Sequence, residues 1–167
     1  ASCKFKLMDK PQNFLDLFVI LNSENQAIKL HQFLYRFFNN DMGKLTALEY
    51  FGYNCQKYMK NRDYFFNNDN EVAVYIQIPV YNKSIDDAMS NWIKILKNFD
   101  SKIDLDKVIS LNDLQNWNKF FESRHSMPDN ALSKTKELGG ISIITDTIVP
   151  PENFKYYLDT IHKKLQN

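Results

Sequence analysis

Eight residues, Phe14–Leu21 (FLDLFVIL), restrict the possible folds more than any other stretch. They are rich in β-forming side chains and too apolar for a sheet edge, so they predict an interior strand. A second strand, Glu71–Pro79 (EVAVYIQIP), sets Val72, Val74, Ile76 and Ile78 on one face with period two. Leu45–Phe51 (LTALEYF), Lys107–Ser110 and Ile141–Val149 are further expected strands. Cys3–Pro11 alternates Lys4 and Lys6 with Phe5 and Leu7 and reads as an extended segment stopped by Pro11.

Helical patterns fall between these strands. Ser23 is placed to cap a helix with Gln26 as its capping-box partner, followed by Ala27, Leu30, Leu34, Phe37 and Phe38. Asn39–Gly43 ends it. Tyr53–Lys60 is a short helix, and Asn61–Asn70 is polar and irregular. From Ser84 or Asp86, a helix carries Ala88, Trp92, Ile95, Leu96 and Phe99 on one side. From Asn112 or Asp113, another carries Leu114, Trp117, Phe120, Phe121 and Arg124, and a turn follows through Pro128. Leu132–Gly140 reads as a loop. Pro151 or Glu152 opens a last helix with Phe154, Tyr157, Leu158, Ile161 and Leu165 on one face. The order predicts one α+β domain: a mostly antiparallel sheet with helices packed on one face, similar to the ferredoxin-like arrangement.

Composition narrows the function classes. The 167 residues suit a single core, and 44% hydrophobic with 25% charged residues describes a globular chain. Thirteen Phe and nine Tyr allow an aromatic core that needs no metal or disulfide. A net charge of +1 with interspersed signs argues against general nucleic-acid binding. Cys3 and Cys55 form neither a disulfide framework nor a CxxC pair, and read as reduced, packed thiols. No apolar run approaches the ~20 residues that cross a bilayer, so no transmembrane segment is expected. No signal peptide opens the chain, and its start at Ala1 without a Met suggests an excised or truncated piece.

No GxGxxG, P-loop, GxSxG or HExxH motif is present, and four glycines leave little for a phosphate cradle. His31, His125 and His162 lack metal-ligand spacing, and His31 and His162 read as ordinary surface or satisfied histidines. Glu49 and Asp146 are carboxylates within apolar strands. Each is either an outward or hydrogen-bonded structural group or a site carboxylate. Arg124 either meets the carbonyls at its helix C-terminus or reaches over a cleft to hold a carboxylate in two places. So little self-contained chemistry suits a domain that borrows a cofactor held elsewhere.

Three segments resemble the C-terminal, substrate-side domain of the FAD-linked oxidases of the glycolate oxidase, D-lactate dehydrogenase and D-2-hydroxyglutarate dehydrogenase group. CKFKLMDKP is similar to that family's strand and following turn, and KLTALEYF to its Glu-bearing strand. FFESRHSMPDNALSKTKELGGISIITDTIVPPENF is similar to its Arg…Gly-Gly…Asp…Pro signature and is the most specific of the three. The resemblance spans the chain in order.

It implies a flavoenzyme in which a separate domain of the same polypeptide binds FAD and this one shapes the substrate pocket. The implied reaction oxidises a D-2-hydroxy acid to a 2-oxo acid, with hydride passing to the flavin. Arg124 matches the Arg that holds the substrate carboxylate. Asp146 and Pro150 match the closing strand's Asp and Pro, with Asp146 structural first and pocket-lining second. Glu49 matches the strand Glu. Ile144 stands where members acting on dicarboxylic acids carry a Lys, which implies a small monocarboxylate such as lactate or glycolate. Pro128 replaces a hydroxyl residue found in some members.

The family's GHxGDGNxH segment would lie beyond Asn167 and its FAD domain before Ala1. The chain is therefore expected to be a fragment, inactive alone, from a cytoplasmic or membrane-peripheral enzyme. The competing expectation is a stand-alone ligand-sensing or protein-interaction module with a ferredoxin-like fold. A structural subunit that has lost catalysis is a third.

Overall fold

A computed structural model describes residues 9–143, 147 and 149–165. Strand β1 (Asn13–Leu21) leads into helix α1 (Glu24–Phe37) and strand β2 (Ala47–Phe51). A 310 segment, Tyr53–Tyr58, and the one-turn helix α2 (Arg62–Phe65) precede strand β3 (Val72–Val80). Helix α3 (Ile85–Phe99), strand β4 (Val108–Ser110), helix α4 (Leu114–Glu137) and helix α5 (Phe154–Leu165) follow. The strands form one antiparallel sheet in the order β2-β3-β1-β4. This is an α+β domain, with β1 interior as its apolar run requires.

The sheet is covered on both faces, not one. Leu15, Leu17, Val19 and Leu21 of β1 meet Val72, Val74, Ile76 and Ile78 of β3 beneath α1 and α3, whose Leu30, Leu34, Trp92 and Leu96 are buried. The alternate residues Phe18, Ile20, Ala73 and Tyr75 face the other way, into Phe51, Phe65, Phe66 and Phe120. The reason is visible in β1 itself. Apart from Asp16, FLDLFVIL is apolar at odd and even positions alike, so each face needs its own cover. Phe18 is the hub of the second core. Its ring centroid lies 5.0–6.0 Å from those of Phe65, Phe51, Phe120 and Phe66. Edge and tilted contacts of this kind add to the area they bury.

Caps define the helix starts. Ser23, Ser84 and Asp113 each accept a backbone N–H from three residues on. Gln26 returns its side-chain oxygen to the N–H of Asn22. Asn39 and Asn40, at φ 52° and 64°, turn the chain out of α1 in the left-handed region that Asn tolerates.

Helix α4 departs most from expectation. It does not stop before Pro128, and most of the expected loop at Leu132–Gly140 is helix, to Glu137. Proline lacks the N–H that would bond the carbonyl of Arg124, four residues back. Tertiary bonds carry the helix past this gap. Asn130 Nδ2 donates to Tyr58 O at 2.8 Å, and Lys60 N–H donates to Ser126 Oγ at 3.0 Å. The helix ends in a Schellman motif: Gly140 N–H bonds Thr135 O at 2.9 Å and Gly139 N–H bonds Lys136 O at 3.0 Å, with Gly139 at φ 68°.

The expected strand at Ile141–Val149 has no strand geometry at 141–143, 147 or 149, and its other residues lie outside those described. The extended segment expected at Cys3–Pro11 falls mostly outside them too. A 310 turn, Pro151–Asn153, opens α5.

Candidate functional site

A polar stripe crosses the sheet on the face beneath α4. Glu49 of β2 stands opposite Tyr75 of β3, and Asp16 of β1 opposite Gln77 of β3. Asp16 is buried at 8% exposure, where an unbonded carboxylate would be costly. Its Oδ1 accepts the Tyr75 hydroxyl at 2.6 Å and Gln77 Nε2 at 2.9 Å. Burial, then the bond to Asp16, push the Tyr75 phenol well above its ordinary pKa, so it stays a donor.

The start of α4 is stitched to the same strand. Asp16 N–H donates to Asn112 Oδ1 at 3.0 Å, and Asn112 Nδ2 donates to Phe14 O at 2.7 Å.

Arg124 closes the other end of the stripe. Its Nε donates to Glu49 Oε2 and its Nη2 to Glu49 Oε1, both at 2.9 Å, across 75 residues of sequence. This is the two-point fork for which guanidinium is built. Hydrogen bonding to Glu49 raises the Arg124 pKa further, with burial opposing. Arg124 sits well inside α4, not at its C-terminus, so the expected contact with terminal carbonyls does not arise.

Arg124 and Glu49 side chains are 42% and 37% exposed, so the pair lies at the rim of the helix–sheet junction. Both bonds use the Nε–Nη2 side. Nη1 takes no partner among the described residues. At the Asp16 end, Asp16, Leu111, Asn112, Leu114 and Trp117 line an open hollow of about 350 Å³.

Two residues expected at a site, Arg124 and Glu49, are thus brought together; the other two, Ile144 and Asp146, lie outside the described residues. Asp16, Tyr75 and Gln77 were not expected there. The signal was the lone charge in FLDLFVIL, which an interior strand accepts only with a bonded partner.

Cys55 is a free, partly buried thiol whose pKa burial pushes up to about 12, so it is no nucleophile. Among the described residues no group of three His, Cys, Asp or Glu is placed for a metal, and no helix is long and apolar enough to cross a membrane. His31 differs from expectation: its Nδ1 is enclosed and has no hydrogen-bond partner.

No protein-family model and no curated protein matches the chain. The fold and site define an α+β domain with a cross-sheet polar stripe that ends in a rim guanidinium.

Proposed function

We propose that this chain is the substrate-side domain of an FAD-dependent oxidoreductase that converts a D-2-hydroxy acid of lactate or glycolate type to its 2-oxo acid. One observation carries the reading. Glu49 and Arg124 come from two separate segments that resemble the FAD-linked oxidases, and they meet in a two-point ion pair at the junction of helix and sheet.

In this reading Arg124 holds the substrate carboxylate through the side of the guanidinium that Glu49 leaves open. A planar fork fixed on one side presents its remaining N–H groups in a set direction, which orients the α-carbon and lowers the entropic part of the barrier. Ile144 offers no cation for a second carboxylate, which favours a monocarboxylate. The flavin, when bound, supplies the hydride acceptor. Gly139 and Gly140 serve the end of α4 and Gly52 packs on its neighbour Tyr50, so these glycines do not cradle it. The FAD-binding domain of the same polypeptide would hold it, in the cytoplasm or at the membrane periphery.

One observation favours a second reading, a stand-alone ligand-sensing or interaction module. Arg124 is neutralised within the chain, and buried Asp16 adds negative charge to the same stripe. The two readings separate on the full reading frame around this chain, expressed and purified. The oxidase reading expects a flavin absorption spectrum that bleaches when D-lactate is added without oxygen. A frame that encodes no flavin domain, or a colourless product, favours the module.

A further inference from the structure

A second cavity lies on the opposite face of the sheet from Arg124, between α1, β2 and α5. Its volume is about 410 Å³, and Met42, Leu48, Val74, Phe154 and Tyr157 contribute to its wall with His31. That size is in the range of pockets that take small organic ligands. Among the described residues no Asp, Glu, Lys or Arg lines it, so a charged ligand would meet no counter-charge from them there. This separates it from any site for a hydroxy acid at Arg124.

His31 supplies one polar feature of the wall. Among the described residues, His31 Nδ1 is the one enclosed side-chain nitrogen or oxygen with no hydrogen-bond partner. Burial lowers the His31 pKa, so the ring is neutral at pH 7 and can offer a lone pair. The Phe154 ring stands 5.4 Å from the imidazole, and Tyr50 meets Phe154 edge-on at 6.4 Å. The Tyr50 hydroxyl does not satisfy His31. It donates to Glu24 Oε2 at 2.8 Å. Aromatic walls with an unmet acceptor match a flat apolar molecule that carries a donor at one edge.

We propose that this cavity binds a neutral aromatic small molecule bearing one hydroxyl, phenolic in class, whose O–H donates to His31 Nδ1. The proposal does not depend on the oxidase reading.

The test titrates 2-naphthol and naphthalene, the same ring system with and without the hydroxyl, into the 167-residue chain. Saturable one-site binding is expected for 2-naphthol, about fivefold tighter than for naphthalene, the ratio that one net hydrogen bond supplies. The His31 Nδ1 nitrogen resonance should move on binding. In His31→Phe the preference for the hydroxyl should fall below about twofold while naphthalene still binds. If that variant does not fold, the wild-type resonance and the wild-type preference decide alone. Absence of saturable 2-naphthol binding, equal affinity for the two probes, or an Nδ1 resonance that does not move would each overturn the proposal. So would a folded His31→Phe that keeps the full preference.

Discussion

Glu71 is a carboxylate with 1% exposure at the threshold of β3, and replacing it with Gln should cost more than most single changes in this chain. Its Oε2 accepts the N–H of Asn67 at 2.7 Å and of Asn68 at 3.3 Å, and its Oε1 accepts Lys107 Nζ at 2.6 Å. The group therefore closes the turn before β3 and ties it to the approach to β4. Burial alone would raise its pKa. The bonds from Lys107, Asn67 and Asn68 overcome burial and hold it below the ordinary carboxylate value.

Breaking a buried pair by removing one partner costs about 3–5 kcal/mol. Gln keeps one acceptor, and Lys107 keeps Asn22 Oδ1 at 2.9 Å with 22% of its side chain in water. The low end applies, about 3 kcal/mol, or roughly 6–12 °C in Tm for a domain of this length.

The pH dependence has a defined sign. A depressed folded pKa gives stabilisation that is complete above the unfolded value of about 4.3 and is lost as pH falls through the folded value. Urea unfolding of wild type and Glu71→Gln from pH 7 to pH 3 measures both effects. The gap should be widest near neutrality and narrow below about pH 4. A difference under about 1 kcal/mol at pH 7, or a gap unchanged at acid pH, would refute this account of Glu71.

Two other changes test the α4 face. A double-mutant cycle on Glu49→Ala and Arg124→Ala should return a coupling of about 1 kcal/mol by urea unfolding, the upper end for a half-exposed two-point pair. A coupling above about 3 kcal/mol would mean the pair is far better shielded than its exposure indicates. Pro128→Ala should restore the bond to the Arg124 carbonyl and raise stability by about 1–2 kcal/mol, after the loss of proline's restraint on the unfolded chain. A destabilised variant in the same unfolding assay would show that α4 needs the proline geometry.

Much of the fold could be read from local pattern. β1 and β3 announce themselves through composition and period, and Ser23, Ser84 and Asp113 each mark a helix start that the structure uses. Length and cover were harder to read. Pro128 argues locally for a stop, but bonds from Asn130 and Lys60 to groups far away in sequence outweigh it. The true stop signal was the Gly139-Gly140 pair, which forms the Schellman end. Helices on both faces were implicit in the apolar even positions of β1, Phe18 and Ile20, which need a partner that α4 and the segments beside it supply.

At the site, Arg124 and Glu49 were each legible as candidates, but not as partners. Seventy-five residues separate them, and only the sheet register and the course of α4 bring them together. Tyr75 and Gln77 gave no signal, because a polar residue at alternate positions in a strand usually faces water.

We propose that the Arg124 guanidinium anchors a hydroxy-acid carboxylate. Its direct measurement is kcat/KM for D-lactate in the flavoenzyme encoded by the full reading frame, comparing wild type with Arg124→Ala. Loss of a desolvated carboxylate partner predicts a fall equivalent to about 2–4 kcal/mol, roughly thirtyfold to a thousandfold. A change smaller than about twofold would contradict the claim and leave Arg124 as a structural tie to Glu49.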